Sequence, residues 1–251
     1  VASCGGGSAS EEPPAEPPAQ ATAAEPAPLL GGGDRVLFIG DSLAVEAPPN
    51  YPELLPDALG GRARGVETVN LAEPGTTAGD WSAGEPLFRQ RLAPELDDAD
   101  LVVVTLGGND LQEALGGSDG IDAAGRADAG SGAGALDAVD RFGRRLGSIF
   151  TAIRRRSPGT RIAYVGYPDY SQATAWREAG GVRGTLALSF GLSALAAAAA
   201  DAEPDLLVDM RGATARAGVD SLLADSEHLG PAGHELYARK LAAQLTRPLQ
   251  G

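Results

Sequence analysis

Arg35-Val-Leu-Phe-Ile-Gly-Asp-Ser42 decides the fold. Val36 to Ile39 is a short apolar run that stops at Gly40, and Asp41 and Ser42 follow at once. An unbroken apolar run of this length reads as a strand buried on both faces, which is the mark of a parallel sheet. Open parallel sheets hold their ligands beyond the carboxyl ends of their strands. Ser42 therefore stands where a nucleophile would stand, and the remaining chain is read against that expectation.

Working outward, Tyr51–Leu59 reads as a short helix closed by Gly60 and Gly61, with Pro56 arguing against it. Val66 to Leu71 reads as a second strand leading into Ala72-Glu-Pro-Gly75, and Asp80 to Leu92 as a helix with Pro86 in its first turn. Leu101-Val-Val-Val-Thr-Leu106 is the clearest strand, ending in Gly107-Gly-Asn-Asp110. Ala138, Phe142, Leu146, Phe150 and Ile153 have helical spacing within 136–156, and Arg154 to Arg156 suit the negative end of that helix. Arg161–Val165 and 206–210 read as the fourth and fifth strands, 183–202 as a helix, and Pro231–Leu245 as the last helix, with proline at its first position. Strands alternating with helices predict an α/β domain, three layers deep, with a five-stranded parallel sheet covered on both faces. The domain is expected over 34–251, following a separate segment over 1–33.

Between Gln112 and Ala135 the chain is rich in Gly, Asp and Ala without periodicity, and reads as an insertion beside the strand ends. It contains two decoys. Gly116-Gly-Ser118-Asp-Gly120 fits a nucleophile-elbow pattern, and Gly130-Ser-Gly-Ala-Gly134 looks like a nucleotide loop. Neither follows a strand, as those motifs require.

The chain carries a net charge of -14, which argues against nucleic acid or anionic lipid headgroups as partners. Its single cysteine, Cys4, excludes an internal disulfide. No unbroken apolar run approaches the ~18 residues of a membrane span, and Leu195 to Ala200 is a short run within a helix. With only two histidines, His228 and His234, and no cysteine near them, no metal or other cofactor is expected.

The chemistry-bearing residues recur at strand ends and near the C-terminus. They are Gly40-Asp-Ser42-Leu43, then Gly75, then Gly107-Gly-Asn109-Asp110, and finally Asp225-Ser-Glu-His228. In this order and spacing the chain resembles the SGNH/GDSL hydrolases over nearly the whole domain. The resemblance implies a flavodoxin-like α/β/α fold and a serine esterase. Ser42 would be the nucleophile, His228 its base, and Asp225 the group that orients the imidazole. The backbone N–H groups of Ser42 and Gly75 and the side-chain amide of Asn109 would form the oxyanion hole. Asp41 and Asp110 would be structural, and His234 a packing or surface residue. Trp81, Tyr167, Tyr170 and Trp176 are candidates for a substrate pocket or for plain packing. Carboxylic esters are the expected substrates, small molecules or acyl groups of the cell envelope. Acyl transfer, polysaccharide O-deacetylation, and a non-catalytic binding module on the same fold are the alternatives.

Val1-Ala-Ser-Cys4 resembles a bacterial lipobox, with cleavage before the cysteine. The resemblance implies lipidation of Cys4 and an extracytoplasmic protein anchored to the membrane. Residues 5 to 33 are dominated by Gly, Ala, Glu and Pro, and read as a disordered tether. At ~3.1 Å per residue its extended reach is on the order of 90 Å.

Overall fold

The computed structural model describes Val1 and residues 28–115 and 131–247. Cys4, the tether up to residue 27, and the first decoy with Ser118 lie outside the described residues.

Five strands make one sheet: β1 (Arg35–Gly40), β2 (Glu67–Asn70), β3 (Leu101–Thr105), β4 (Arg161–Val165) and β5 (Leu206–Val208). All pairings are parallel, in the order β2-β1-β3-β4-β5. Every residue of β3 is buried. At about 1.5–3 kcal/mol for each fully buried aliphatic side chain, this strand is the sheet's main anchor. Phe38 pairs with Val103, and Gly40 with Thr105. The β1–β3 junction is where the strand order reverses, so the two chains leaving these strands diverge and open a crevice. Gly40 is needed at that junction, because a Cβ there would lie 2.6 Å from the Thr105 carbonyl oxygen.

Among the described residues six α-helices complete the layers: α1 (Tyr51–Leu59), α2 (Gly108–Ala114), α3 (Ser131–Arg156), α4 (Thr174–Asp201), α5 (Arg211–Ala217) and α6 (Pro231–Leu245). Helix α1 forms despite Pro56, for a local reason. Asn50 caps it through the Glu53 N–H, and the Glu53 carboxylate accepts from the Asn50 N–H at 3.0 Å. Helix α1 packs along α6, and α3 along α4. On α6 the buried positions Gly233, His234, Tyr237, Ala238, Leu241, Ala242 and Leu245 form one helical stripe.

Several expectations are corrected. The segment after β3 is not irregular from Gln112 on: α2 runs through Ala114, and residues 131–135 already belong to α3. The Gly-Gly-Asn-Asp run looks like a loop, but Gly107 takes φ 119° and lets the helix start at the next residue. The expected helix over 80–92 is a series of turns ending in a short π-helix, Leu87–Leu92. Helix α4 begins at Thr174, not Arg183, and bends at Gly181. Helix α5 was not foreseen, since it is short and made of small residues. The packed body also begins before Asp34: Leu29 and Leu30 are buried, and the Leu30 N–H donates to the Leu245 carbonyl at 3.2 Å.

Helix α4 is long and apolar enough to cross a membrane by length and composition alone. That departs from the reading of individual runs, because Ala and Gly dilute its leucines without adding charge. In the fold it buries Leu188, Leu192, Leu195 and Ala199, and leaves Val182, Leu186 and Phe190 exposed.

Candidate active site

Ser42 opens a single 3-10 turn immediately after β1. Asp41 makes that turn. Its carboxylate accepts from the Leu43 N–H at 3.1 Å and from the Tyr167 hydroxyl. Asp41 is buried, and burial raises its pKa from 3.8 to about 6 against the opposing hydrogen bond from Tyr167. This is the structural role expected of Asp41.

Asn109 reaches across to the loop that carries Gly75, bonding its neighbour Thr76. Gly75 has φ 76°, a conformation glycine adopts without strain. The adjacent Thr76 carbonyl accepts from Asn109 Nδ2 at 2.8 Å. Asp110, next in sequence, accepts from the Ala78 N–H at 2.9 Å and faces Arg145 at 3.5 Å. Asn109 and Asp110 thus clamp the Gly75–Ala78 loop at two points. Burial raises the Asp110 pKa, with the Ala78 N–H and Arg145 opposing it. The Thr76 hydroxyl lies 3.0 Å from the Gly40 carbonyl and 2.8 Å from that of Glu73, and accepts from Trp81 Nε1 at 3.0 Å. Trp81 is fully buried, so of its two candidate roles the structure shows packing, as a brace for this loop. Among the described residues, neither the Ser42 nor the Gly75 N–H donates to a backbone carbonyl.

Asp225 and His228 lie on a tight loop closed by the Ala224 N–H to the His228 carbonyl at 2.8 Å, and by a bridge between Leu223 and Leu229. One oxygen of Asp225 accepts from the N–H groups of Glu227 and His228, both at 2.7 Å; the other faces His228 Nδ1 at 2.9 Å. Burial works against the Asp225 charge, but these hydrogen bonds outweigh it and lower its pKa. Burial likewise pulls the His228 pKa down. The hydrogen bond to Asp225 and the charges of Asp225, Glu46 and Glu227 outweigh that and raise it above 6.5.

Two aromatic residues suspend this loop. Tyr170 donates to the Glu227 carbonyl and Trp176 Nε1 to the Ser226 carbonyl, each at 2.6 Å. No local signal marks this role, because the partners lie 57 and 50 residues away in sequence. His234 is elsewhere: it is buried on α6, and its Nδ1 accepts from the Tyr51 N–H at 3.2 Å. Burial lowers its pKa. His234 is therefore a packing residue.

One pocket brings together Ser42, Asn109 and His228. Gly75 does not line it, although its neighbour Thr76 is bonded to Asn109, and Asp225 stands behind His228. Its other walls are mostly apolar, with Leu43, Leu111, Leu115, Tyr167, Tyr170, Trp176, Leu188 and Leu192. No hydrogen bond joins Ser42 Oγ to His228; Nε2 lies 3.5 Å from the Glu46 carboxylate instead. Resting sites of this kind often tighten only with substrate in place. Among the described residues, no group of three His, Cys, Asp or Glu side chains is placed to hold a metal ion.

The fold has close structural counterparts. Phospholipase A1 from Streptomyces albidoflavus NA297 superposes with a TM-score of 0.63 at 19% identity, covering 85% of this chain and 100% of that one. The extracellular lipase from Streptomyces rimosus gives 0.60 at 20% identity, covering 84% and 99%. The lipase Lip_vut3 from a goat rumen metagenome gives 0.62 at 18% identity, covering 86% and 100%. At these identities the likeness is one of fold. No match was found among curated proteins. Residues 38–236 match the GDSL-like Lipase/Acylhydrolase family. This span reaches from β1 to α6 and takes in every strand end that lines the crevice; the chain belongs to that family of hydrolases.

Proposed function

We propose that the chain is a serine esterase that hydrolyses carboxylic esters through an acyl-enzyme. The observation that carries this reading is the His228 ring. One edge is held by Asp225 at 2.9 Å, and the ring lines the same pocket as Ser42. Nδ1 is thereby committed to Asp225, which leaves Nε2 as the base. Ser42 Oγ attacks the ester carbonyl as Nε2 takes its proton. The oxyanion that forms accepts from the N–H groups of Ser42 and Gly75 and from Asn109 Nδ2. Its collapse expels the alcohol, which receives the proton from His228. Water then repeats the sequence on the acyl-Ser42 ester and frees the acid.

The apolar walls favour an acyl group longer than acetyl, with Leu111, Leu115, Leu188 and Leu192 alongside the chain. The phospholipase and lipase counterparts support the same class of substrate. O-Deacetylation of an envelope polysaccharide and acyl transfer to an alcohol would use the same machinery with a different ester or acceptor. The lipobox resemblance of Val1 to Cys4 supports an anchored, extracytoplasmic enzyme. Release of the Cys4→Ser protein from membranes is the expected result, and its retention would sink the anchor.

The test of the activity is hydrolysis of p-nitrophenyl esters from acetyl to palmitoyl, with fluorophosphonate labelling alongside. Hydrolysis is expected to favour acyl chains beyond acetyl and to fall by about 10⁴-fold or more in Ser42→Ala, which also loses the label. Undiminished turnover in Ser42→Ala refutes the reading. Absence of both turnover and labelling in the native protein would leave a binding module.

A further inference from the structure

His228 has a second carboxylate partner that no step of the reaction above requires. Glu46 lies four residues beyond the nucleophile, and the turn that Ser42 opens continues to it: the Val45 and Glu46 N–H groups donate to the Ser42 carbonyl at 3.0 and 2.9 Å. That turn carries the Glu46 carboxylate to 3.5 Å from His228 Nε2. The ring is thus held between two carboxylates, Asp225 on Nδ1 and Glu46 on Nε2.

We propose that Glu46 is a positioning residue for His228. In the resting site its carboxylate pairs with the protonated ring through Nε2, the nitrogen that must turn to Ser42 Oγ for catalysis. This rests on the reading of His228 as the base. A separation of 3.5 Å is an ion pair rather than a tight hydrogen bond. Such a contact holds an imidazolium and lets go of a neutral ring, whose bare Nε2 has nothing to donate to a carboxylate. Loss of the proton therefore does two things together. It makes the base competent, and it frees Nε2 to accept from the serine hydroxyl.

The surroundings support this. The charged groups facing His228 are all acidic: Asp225 and Glu227 on its own loop, Glu46 beyond β1, and Asp41 beneath the nucleophile. Together they favour the imidazolium against burial. Glu46 meets the edge that does the chemistry. Its side chain is 43% exposed, so solvent screening limits its influence to a modest part of the whole.

The experiment is a histidine-ring NMR titration of Glu46→Gln beside the native protein, with the pH profile of kcat/KM on a p-nitrophenyl ester. The chain has only two histidines, so the two ring signals are readily told apart. The His228 signal, assigned by its loss in His228→Gln, is expected to titrate about half a pH unit to one unit lower in Glu46→Gln. The acid limb of kcat/KM should follow. One unit below the native limb, activity relative to each enzyme's own plateau should rise about three- to fivefold. Glu46→Asp, with a shorter reach, should shift in the same direction by less. An unmoved His228 titration in a folded Glu46→Gln protein overturns the proposal. The NMR reading needs no turnover. A shifted titration in a protein inert toward every ester would keep the ion pair and discard the esterase.

Discussion

The two halves of the site are held in different ways. The half that carries Ser42, Gly75 and Asn109 grows directly out of β1, β2 and β3. Its loops are tied to one another by Asn109, Asp110 and Thr76, and most of those ties are buried. The half that carries Asp225 and His228 lies on a loop before α6. Asp225 organises it from within, and Tyr170 and Trp176 hold its carbonyls from outside. Asp41 and Asp225 show the electrical side of the contrast. Burial raises the first to about 6, whereas hydrogen bonds lower the second. A hydrolase needs donors that do not move and a base that can turn toward the nucleophile and back. On the proposed reading the sheet side would supply the former, and a tethered loop the latter.

The sharpest way to break this comparison is Asp225→Asn. An amide can present its N–H to Nδ1 and so leave the proton on Nε2, the wrong tautomer for a base. A fall in kcat of about 10³- to 10⁴-fold is expected with the loop still folded; a loss under tenfold would mean that Asp225 does not orient the ring. On the sheet side, Asn109→Ala should lower kcat by about 10²- to 10³-fold with little change in KM, as for other oxyanion donors. The same variant drops the tie to the Thr76 carbonyl, so a crystal structure should accompany the kinetics to show Gly75 in place.

Tyr170→Phe and Trp176→Phe probe the suspension of the loop without touching the reacting atoms. Each removes one donor to a loop carbonyl, a loss worth about 0.5–1.5 kcal/mol. If that loosening falls on the base, kcat drops roughly three- to tenfold; unchanged kcat in both would show that Asp225 alone holds the loop.

The smallest effect on rate is expected from Asp41→Asn, whose readout is stability. The Asp41 pKa is raised on folding from 3.8 to about 6, so the native state binds more protons than the unfolded chain between those values. This group's contribution is therefore favourable at low pH and is lost as pH rises from about 4 to 6, by on the order of 2–3 kcal/mol. Asn cannot ionise, and can keep the contact to the Leu43 N–H. Urea midpoints at pH 4.5 and 7 should differ less in Asp41→Asn than in the native protein. Equal differences would mean that Asp41 titrates at its ordinary value.

Elements whose cause is local were legible in the residues. β3 announces itself as an apolar run, and α6 begins at Pro231 and ends at Leu245 as its pattern predicts. The strand-end residues Ser42, Gly75 and Asn109, and the pair Asp225 and His228, were singled out by their resemblance to the SGNH/GDSL hydrolases. Elements whose cause lies elsewhere in the fold were not. Helix α2 starts in a Gly-Gly-Asn-Asp run, and nothing periodic marks α5. Helix α1 was read at its observed bounds although Pro56 argued against it, because the Asn50 capping box is local; packing against α6 adds to it.

By itself, then, the sequence determined the alternation of strands and helices and the place of Ser42 just beyond a buried strand. Those properties depend on neighbours within a turn or a strand. The tertiary structure alone decided which aromatic residues hold the His228 loop, that Trp81 braces the Gly75 loop, and that Glu46 meets His228. These partners come together only when the sheet is assembled, and no periodicity encodes a contact between side chains so far apart along the chain.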